Sequence, residues 1–420
     1  MSSFSIPLTG LNASSEALNT IANNLSNMNT TAYKSQNVTF SDLFYQQIGT
    51  SGSGDPLEVG AGTQVASTQT NFTPGSMNAD SNPTDMAIDG AGFFVVKDGG
   101  GTDYTRNGNF MLSSDGTLQT QNGQAVMGYP AANGAINTSA PLTAIQIPTN
   151  GIDPAAATTQ FSFTGNLDAS SASGSSTSME TTVYDSLGVP HVATVTFTKA
   201  ATPANTWNYS VGLPGGDAAA ASGNTGTLTF DGNGNLVSSV DGSGTAHTPP
   251  ANAAGITFTG MSDGASNLSM TWDLLNSAGQ PLLTQTAAAS GASAQSQNGQ
   301  AAGSYKDFSI DSNGVISVAY NNGQTVNVGQ LAIALVANEQ GLNHLGNGLY
   351  ATTSASGQAS LGAAGSAGRG QIEGETLEGS NVNISNEFSN LIIQQQAFDA
   401  SSKAITTFNT ISQETINMIH

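Results

Sequence analysis

The side chains best suited to metal binding or acid–base chemistry in this chain are four histidines and two acidic loops. The histidines are His191, His247, His344 and His420, which lie far apart in sequence among turn residues. Metal sites read from sequence usually show ligands at characteristic short spacings, and these positions offer none. We therefore expect no metal site built from the histidines.

Two segments have a partial likeness to calcium-binding loops. They are Asp231-Gly-Asn-Gly-Asn235 and Asp311-Ser-Asn-Gly314. Such a loop needs a bidentate Glu at its twelfth position, where this chain has Gly242 and Asn322. Asp, Asn and Gly at these spacings are also typical of tight turns, so we predict two hairpin turns instead.

The sequence also lacks the residues and motifs that covalent, metal or phosphate chemistry most often requires. There is no cysteine, which excludes disulfides, thiolate metal sites and thiol nucleophiles. There is no His-Glu-x-x-His pair and no Gly-x-x-x-x-Gly-Lys phosphate loop. We expect a protein that is not an enzyme and that has no cofactor.

The charge balance is strongly acidic although charged residues are sparse. The formal net charge is −21, yet only 8% of the 420 residues are charged. The basic residues stand singly, at Lys34, Lys97, Arg106, Lys199, Lys306, Arg369 and Lys403. Because no basic patch exists, nucleic acid is excluded as a partner on electrostatic grounds. A polar, weakly charged surface is typical of exposed and polymerising proteins.

Targeting and membrane segments are not evident in the sequence. Met1-Ser-Ser-Phe-Ser-Ile-Pro7 has neither a basic region nor an apolar core of the secretory type. No run approaches the ~18 apolar residues of a membrane span. We expect no membrane insertion and, if the protein is exported, a route without a cleavable signal peptide.

The elements that organise the chain are two amphipathic helices at its ends. The segment from Asn381 to His420 contains no Gly or Pro and places apolar residues three and four positions apart, the spacing of one helix face. These residues are Ile384, Phe388, Leu391, Phe398, Ile405, Phe408, Ile411 and Met418. A helix of this length spans roughly 50 Å and is too long to pack inside one small domain.

The N-terminal segment shows the same spacing in Leu8, Leu11, Leu18, Ile21, Leu25 and Met28. We predict a helix that begins near Asn12 or Ser14 and ends at about Leu25, where Asn23, Asn24, Asn27 and Asn29 cluster. The two helices form either an intramolecular coiled-coil stalk or an assembly surface that packs against copies of the same chain. We favour the second interpretation and predict ends that order on assembly.

The middle of the chain has a period-two pattern with turn residues between short strands. Together with the ends it predicts a multidomain fold, in which terminal α-helices form a coiled-coil-like inner domain around two mainly antiparallel all-β domains. The predicted parts are a helical assembly domain (1–34 and 375–420), an extended arm (35–70), a discontinuous inner β domain (71–150 and 304–374) and an inserted outer β domain (151–303).

A family resemblance is visible in the N-terminal segment. Ile21-Ala-Asn-Asn-Leu-Ser-Asn-Met-Asn-Thr-Thr-Ala-Tyr-Lys34 resembles the N-terminal signature of the rod–hook family of bacterial flagellar axial proteins. This chain has Ala32 where family members usually carry Gly, and Gln395-Gln396 where relatives carry Gln-Arg. The matching signature residues are Asn23, Asn24, Asn27, Tyr33 and Lys34.

The resemblance continues through the rest of the chain. An Ile-Asp-Gly-x-Gly-Phe-Phe segment and an Arg-Asn-Gly-x-Phe segment are similar to the family's first β region, and Thr181–His191 is similar to a region of hook-type members. Ser380, Asn381 and Val382 open the last helix as in the family. The remaining matching residues are Gly90, Gly92, Phe93, Phe94, Arg106, Asn107, Gly108, Tyr184, Asp185 and Gly188.

The resemblance implies a structural subunit of the flagellar hook, which assembles in many copies into a curved, flexible helical tube. The tube would act as a universal joint between rod and filament, enclose the export channel and lie outside the cell. The implied partners are further copies of the chain, the rod, hook-cap and hook–filament junction proteins, and the flagellar export apparatus.

Two alternatives remain open. A distal rod or hook–filament junction protein would share the ends of the chain but differ in its middle. A β-rich surface adhesin with a helical stalk would be a stable monomer with a ligand pocket.

Overall fold

The structure, a computed structural model, describes residues 5–52, 55–248 and 251–418. Within these ranges the chain forms two long helices, α1 (Ser5–Ser26) and α2 (Ile384–Met418), and a short 3-10 helix, Glu339–Gly341. No described helix is sufficiently long and apolar to cross a membrane. The predicted fold class is confirmed, since terminal helices flank a β-rich body whose sheets are mainly antiparallel.

The start of α1 corrects the sequence prediction, because the helix includes Pro7 and Gly10. A proline in the first turn of a helix does no harm, since its missing N–H has no helical acceptor there. Gly10 lies at a close contact with α2, where a Cβ would stand 3.1 Å from Ser401 Oγ. The predicted end is confirmed, since α1 stops at Ser26 and a turn begins at Asn27. Met28 therefore lies beyond the helix.

The chain divides into two compact units. Unit 1 comprises Met1–Thr149, Asp307–Ala319 and Thr325–His420, and unit 2 comprises Asn150–Lys306 and Tyr320–Gln324. The division of unit 1 into helices, arm and β domain, with the boundaries given above, stays a prediction.

The strands of unit 1 come from both halves of the chain. They are Gln36–Asp42, Gln46–Thr50, Pro56–Val59, Thr63–Thr70, Met77–Ala79, Met86–Asp89, Phe93–Lys97, Thr102–Thr105, Phe110–Leu112, Leu118–Thr120, Ala125–Ala132, Ala135–Ile136, Thr143–Ala144, Thr325–Leu335, Asn343–Gly346, Leu349–Ala351, Ser360–Ala363, Gln371–Gly374 and Thr376–Glu378. Gly303–Ile310 and Val315–Tyr320 include residues of both units.

Returning strands pair antiparallel with outgoing strands in unit 1. Thr325–Leu335 pairs with Phe93–Lys97, and Gln371–Gly374 pairs with Met86–Asp89. Their core contains Phe93, Val95, Tyr104, Met127, Tyr129, Ala332, Ala334, Leu342 and Tyr350. This pairing brings residues more than 240 positions apart in sequence into one hydrophobic core.

Two local features of unit 1 concern glycine positions and the segment 35–70. Met86–Asp89 and Phe93–Lys97 are separated by Gly90 and Gly92, whose φ angles of 116° and 124° are accessible mainly to glycine. The segment 35–70 forms two nested antiparallel strand pairs, Gln36–Asp42 with Thr63–Thr70 and Gln46–Thr50 with Pro56–Val59, and leaves Phe44 96% exposed and Ile48 67% exposed.

Apart from Ile152–Asp153, which pairs with Gly303–Ile310, the strands of unit 2 form two six-stranded sheets around one core. They are Ile152–Asp153, Gln160–Asp168, Ser176–Tyr184, Pro190–Lys199, Thr206–Gly212, Ala218–Ser222, Thr225–Phe230, Leu236–Val240, Ala246–His247, Ala253–Met261, Leu268–Asp273, Leu283–Thr286 and Gly291–Gln297. Buried and exposed residues alternate in Ser176–Tyr184, so one face of the strand meets a core centred on Trp207 and Trp272.

Both loops with a likeness to calcium sites are confirmed as hairpin turns. Asp231 Oδ1 accepts hydrogen bonds from the backbone N–H groups of Asn233 and Asn235 at 2.9 and 2.8 Å. Asp311 Oδ1 does the same for Asn313 and Val315 at 2.9 and 2.8 Å. In each loop the Asp side chain therefore stabilises the turn by accepting hydrogen bonds from the backbone of the same turn.

Candidate assembly site

The two helices lie side by side in antiparallel orientation. Gly10 meets Ser401, and Asn24 Nδ2 donates a hydrogen bond to Glu387 Oε1 at 3.2 Å. These two contacts lie fourteen residues apart on each helix, which fixes the alignment. Small residues dominate the buried side of α1, which allows close approach of the backbones.

The buried face of α1 is not the predicted leucine face. Its buried residues are Ala13, Ser14, Ala17, Ile21 and Asn24, so Ile21 alone belongs to the predicted set. Leu8 is 50% exposed, and Leu11, Leu18 and Leu25 are only half-buried. The leucine stripe therefore remains accessible beside the intramolecular contact.

α2 is an almost entirely exposed helix. Of its 35 residues only Glu387 is buried. In the predicted set, Leu391, Phe398 and Ile405 are half-buried, whereas Ile384, Phe388, Phe408, Ile411 and Met418 are exposed. Every residue from Thr406 to Met418 is exposed. The helix thus carries far more apolar surface than α1 covers.

A buried ionic cluster joins the connections that follow α1 and precede α2. Lys34 Nζ lies 2.6 Å from Glu378 Oε1, and Arg106 Nε lies 3.6 Å from Glu378 Oε2. The three side chains are at most 3% exposed. Burial lowers the pKa of Lys34 and of Arg106, although Glu378 opposes that effect on both. The cluster contains two cations for one carboxylate.

Backbone groups add further hydrogen bonds to this cluster. Lys34 Nζ donates to the carbonyl of Thr73 at 2.9 Å, and Arg106 Nη2 donates to the carbonyl of Gly90 at 2.8 Å. The N–H of Gly75 donates to Glu378 Oε1 at 2.9 Å. Since buried charges are costly unless paired and hydrogen-bonded, these contacts fix three distant segments to one another.

A second polar network surrounds the end of α1. Asn24 Oδ1 accepts hydrogen bonds from the Gln36 N–H at 3.0 Å and from Tyr33 Oη at 3.2 Å. Asn23 Nδ2 donates to Tyr33 Oη at 3.1 Å. Asn27 Nδ2 donates to the Asn23 carbonyl at 2.9 Å. The Asn-rich signature therefore holds the chain as it turns from α1 into the first strand.

Ala32 adopts the left-handed conformation, with φ of 55°, and its N–H donates to the Glu378 carbonyl at 2.7 Å. The turn thus forms at this position with Ala in place of Gly. Ser380, Asn381 and Val382 precede α2, and Asn381 binds the backbone near this turn. Asn381 Oδ1 accepts from the Ser35 N–H at 2.8 Å, and Asn381 Nδ2 donates to the carbonyls of Asn71 and Thr73.

The remaining predicted residues of unit 1 support the cluster. Phe93 lies under the Arg106 guanidinium at 6.0 Å, and Phe94 packs edge-on against Phe110. A Cβ on Gly92 would stand 2.5 Å from Ile333 Cγ2, so glycine permits the close approach of the returning strand. A cleft of about 520 Å³ beside the cluster is lined by Asn23, Asn27, Tyr33, Lys34, Asn107 and Tyr350, among others.

Unit 1 contains the signature residues Asn23, Asn24, Asn27, Tyr33, Lys34, Gly90, Gly92, Phe93, Phe94, Arg106, Asn107, Gly108, Ser380, Asn381 and Val382. Tyr184, Asp185 and Gly188 belong to unit 2 and form a hairpin turn there. Sequence analysis missed Glu378 and Glu387. The available signal was an isolated Glu between Leu377 and Gly379 in a chain with few charges.

The chain thus has helices at both ends of a β-rich body, joined by an Asn-rich polar network, and four family models of flagellar axial proteins match it. They are the flagella basal body rod protein (7–34), the flagellar hook protein FlgE/F/G D1 domain (87–169), the flagellar basal body protein FlaE D2 domain (154–300) and the flagellar basal body rod FlgEFG protein C-terminal region (373–418).

Relatives extend the match to nearly the full length. The chain is 32% identical to the flagellar hook protein FlgE of Treponema pallidum, over 98% of each chain. It is 33% identical to the flagellar hook protein FlgE of Salmonella typhimurium, over 99% of this chain and 100% of the relative. The chain belongs to the flagellar hook protein FlgE family.

A solved structure agrees in fold. The crystal structure of Helicobacter pylori flagellar hook protein FlgE2 superposes with a TM-score of 0.53 at 16% identity, covering 72% of this chain and 100% of that one. At this identity the likeness concerns the fold alone.

Proposed function

We propose that this chain is a structural, non-catalytic subunit of the flagellar hook, and that many copies assemble into a curved, flexible helical tube. The tube acts as a universal joint between rod and filament and encloses the export channel. The observation that carries this proposal is the exposure of α2, where the only buried side chain is a glutamate.

The exposed apolar residues of α2 supply the driving force for assembly. Ile384 is 45% exposed, Ile411 52% and Met418 79%. Complete burial of such a side chain is worth roughly 1.5–3 kcal/mol, so several of them per subunit favour contact with neighbouring copies. The leucine face of α1, which includes Leu8, extends the same surface. Because α1 covers only part of α2, we propose that the ends gain order on assembly.

The weakly charged surface suits bending. Only seven of the 420 residues are Lys or Arg, and Lys34, Arg106 and Arg369 are buried. Contacts between polar, uncharged surfaces slide with little penalty, because no strong ion pair has to break. This property fits a joint that changes curvature as it rotates.

The remaining partners follow from the same role. A hook subunit contacts the rod at one end of the tube, the hook cap during growth and the hook–filament junction proteins at the other end. It reaches its place outside the cell through the flagellar export apparatus. Copies of this chain are the partner that the exposed helices support most directly.

The test is assembly of the full chain with Ile411→Ser, and Asn409→Ser as the matched control on the same exposed turn. Ile411→Ser leaves the secondary structure of the monomer unchanged and raises the critical concentration for tubes about ten- to a hundredfold. Sedimentation and electron microscopy measure this. Unaltered assembly of Ile411→Ser, or a chain that stays monomeric under all assembly conditions, would overturn the proposal.

A further inference from the structure

Unit 2 contains a buried histidine surrounded by carboxylates. His191 is 5% exposed, with Nδ1 2.9 Å from Asp217 Oδ2 and Nε2 3.1 Å from Asp185 Oδ2. Asp263 Oδ2 lies 3.6 Å from the same Nε2. Both ring nitrogens therefore face carboxylate oxygens.

These residues come from three different segments. Asp185 and His191 flank the turn between Ser176–Tyr184 and Pro190–Lys199, in one sheet. Asp217 precedes Ala218–Ser222, and Asp263 follows Ala253–Met261, in the other sheet. The cluster therefore links the two sheets of unit 2 at one end.

Carboxylates at both ring nitrogens favour the positively charged form of His191. Neutral imidazole has one N–H, so one of its nitrogens would present a lone pair to a carboxylate. Only the imidazolium donates from both nitrogens. We propose that Asp185, His191, Asp217 and Asp263 form a proton-dependent clamp, which joins the two sheets while His191 is charged and loosens when His191 becomes neutral.

A serine nucleophile is the competing interpretation of this cluster. Gly260-Met-Ser-Asp-Gly264 has the spacing of a nucleophile elbow, which sequence analysis did not single out. Gly260 and Met261 end the strand Ala253–Met261, and Ser262 begins the turn that leads to the strand Leu268–Asp273, whereas the elbow joins a strand to a helix. Both nitrogens of His191 are already engaged, so neither is available as a base for Ser262.

The electrostatics support the clamp. Burial alone lowers the pKa of His191, but the hydrogen bonds and charges of Asp217 and Asp185 outweigh burial and raise it above the usual value. Burial alone raises the pKa of Asp185, but contacts with Asp263 and His191 and two backbone N–H groups lower it to about 2. The titratable groups facing the ring from the three segments are the carboxyls of Asp185, Asp217 and Asp263.

The pH window follows from these directions. A raised histidine pKa gives stability that is complete below about pH 6.5 and is lost as pH rises through the folded value. A lowered aspartate pKa gives stability that is complete above about pH 3.9 and is lost toward pH 2. The clamp is therefore strongest between about pH 4 and 6.5 and loosens in alkali.

The turn that contains Asp185 packs closely against the segments by which the chain enters and leaves unit 2. Gly188, in the same turn, has φ of 81°, and a Cβ there would stand 2.7 Å from Ala155 Cβ and 3.2 Å from Ala301 Cα. Release of Asp185 would therefore free the turn that rests on both segments.

The test measures hydrogen–deuterium exchange at the C2 position of each histidine in the full-length chain by mass spectrometry, from pH 4 to 10. We expect a midpoint for His191 above about 6.5. The midpoint of His344 falls below that value, because burial lowers its pKa. A His191 midpoint at or below about 6.5 would overturn the proposal.

Thermal unfolding supplies the second measurement. Between pH 5.5 and 9 the Tm of the transition involving unit 2 should fall about 2–4 °C more in the unmodified chain than in His191→Gln. His247→Gln, which removes another histidine–aspartate hydrogen bond, should keep the original pH dependence. If His191→Gln does not fold, Asp217→Asn keeps the ring and should lower the exchange midpoint of His191. An unchanged midpoint would contradict the clamp.

Discussion

Lys34 and Glu378 form a buried ion pair, with 2.6 Å between Nζ and Oε1, although 344 residues separate them in the chain. One follows α1 and the other precedes α2. Because Arg106 lies against the second carboxylate oxygen, a residue of the β body also participates. The pair therefore couples the position of both terminal helices to the body of unit 1.

Removal of the Glu378 charge should destabilise unit 1 strongly. Glu378→Gln leaves the buried Lys34 and Arg106 without a counter-ion, which costs about 3–5 kcal/mol. Denaturant unfolding of the full chain measures the change. Glu373→Gln, an exposed change in a neighbouring strand, should stay within about 0.5 kcal/mol. Equal stability of the two variants would show that the ionic cluster does not hold the helices.

Glu387 should make the contact between α1 and α2 sensitive to pH. Burial raises the pKa of Glu387, while its hydrogen bond with Asn24 opposes the rise. The contact is then most stable below about pH 4.3 and loses stability as pH rises through the folded value. Gln at this position accepts the same hydrogen bond without a charge.

Glu387→Gln should therefore be more stable than the unmodified chain at pH 7 and equal to it at pH 4. Amide exchange of α1 at several pH values measures this, after correction for intrinsic rates. Glu16→Gln, the same change on the exposed side of α1, serves as the control. A pH dependence that survives in Glu387→Gln would count against this role.

A large side chain at Gly10 should separate the two helices. A Cβ added at Gly10 would already lie 3.1 Å from Ser401 Oγ, so there is no room for a longer side chain. Gly10→Leu overpacks the contact by about 1–3 kcal/mol, so the amides of Ala13 and Ala17 should exchange about tenfold faster or more. Asn12→Leu, on the exposed side, should leave their exchange unchanged. Equal amide protection of Ala13 and Ala17 in both variants would show that Gly10 does not lie at the contact between α1 and α2.

Gly108 is required by packing around the Arg-Asn-Gly turn. A Cβ there would overlap the carbonyl oxygen of Met86 and stand 3.2 Å from Phe94 Cε2. Gly108→Ala should lower the free energy of unfolding by about 2–4 kcal/mol, measured by denaturant titration. Gly99→Ala has open space at its Cβ and should have little effect. Comparable stability of the two variants would refute this explanation.

Residue patterns over short stretches of sequence were sufficient to predict much of the secondary structure. The three- and four-residue spacing from Ile384 to Met418 predicts α2, because a helix is defined by contacts near in sequence. The Asp-Gly and Asn-Gly turns were predicted for the same reason, and Asp231 and Asp311 close theirs as expected. The residues that resemble the flagellar family identified the class of protein, since they stand at fixed short spacings.

The sequence by itself thus determined the terminal helices, the short β strands between them and the family. Only the tertiary structure decided which face of α1 is buried, because small residues at Gly10, Ala13 and Ala17 allow a closer approach than the leucines do. It also decided the partners of Lys34 and His191. Those partners are brought near by chain return and by sheet packing, and a periodic pattern carries no information on which distant charges come to share a buried site.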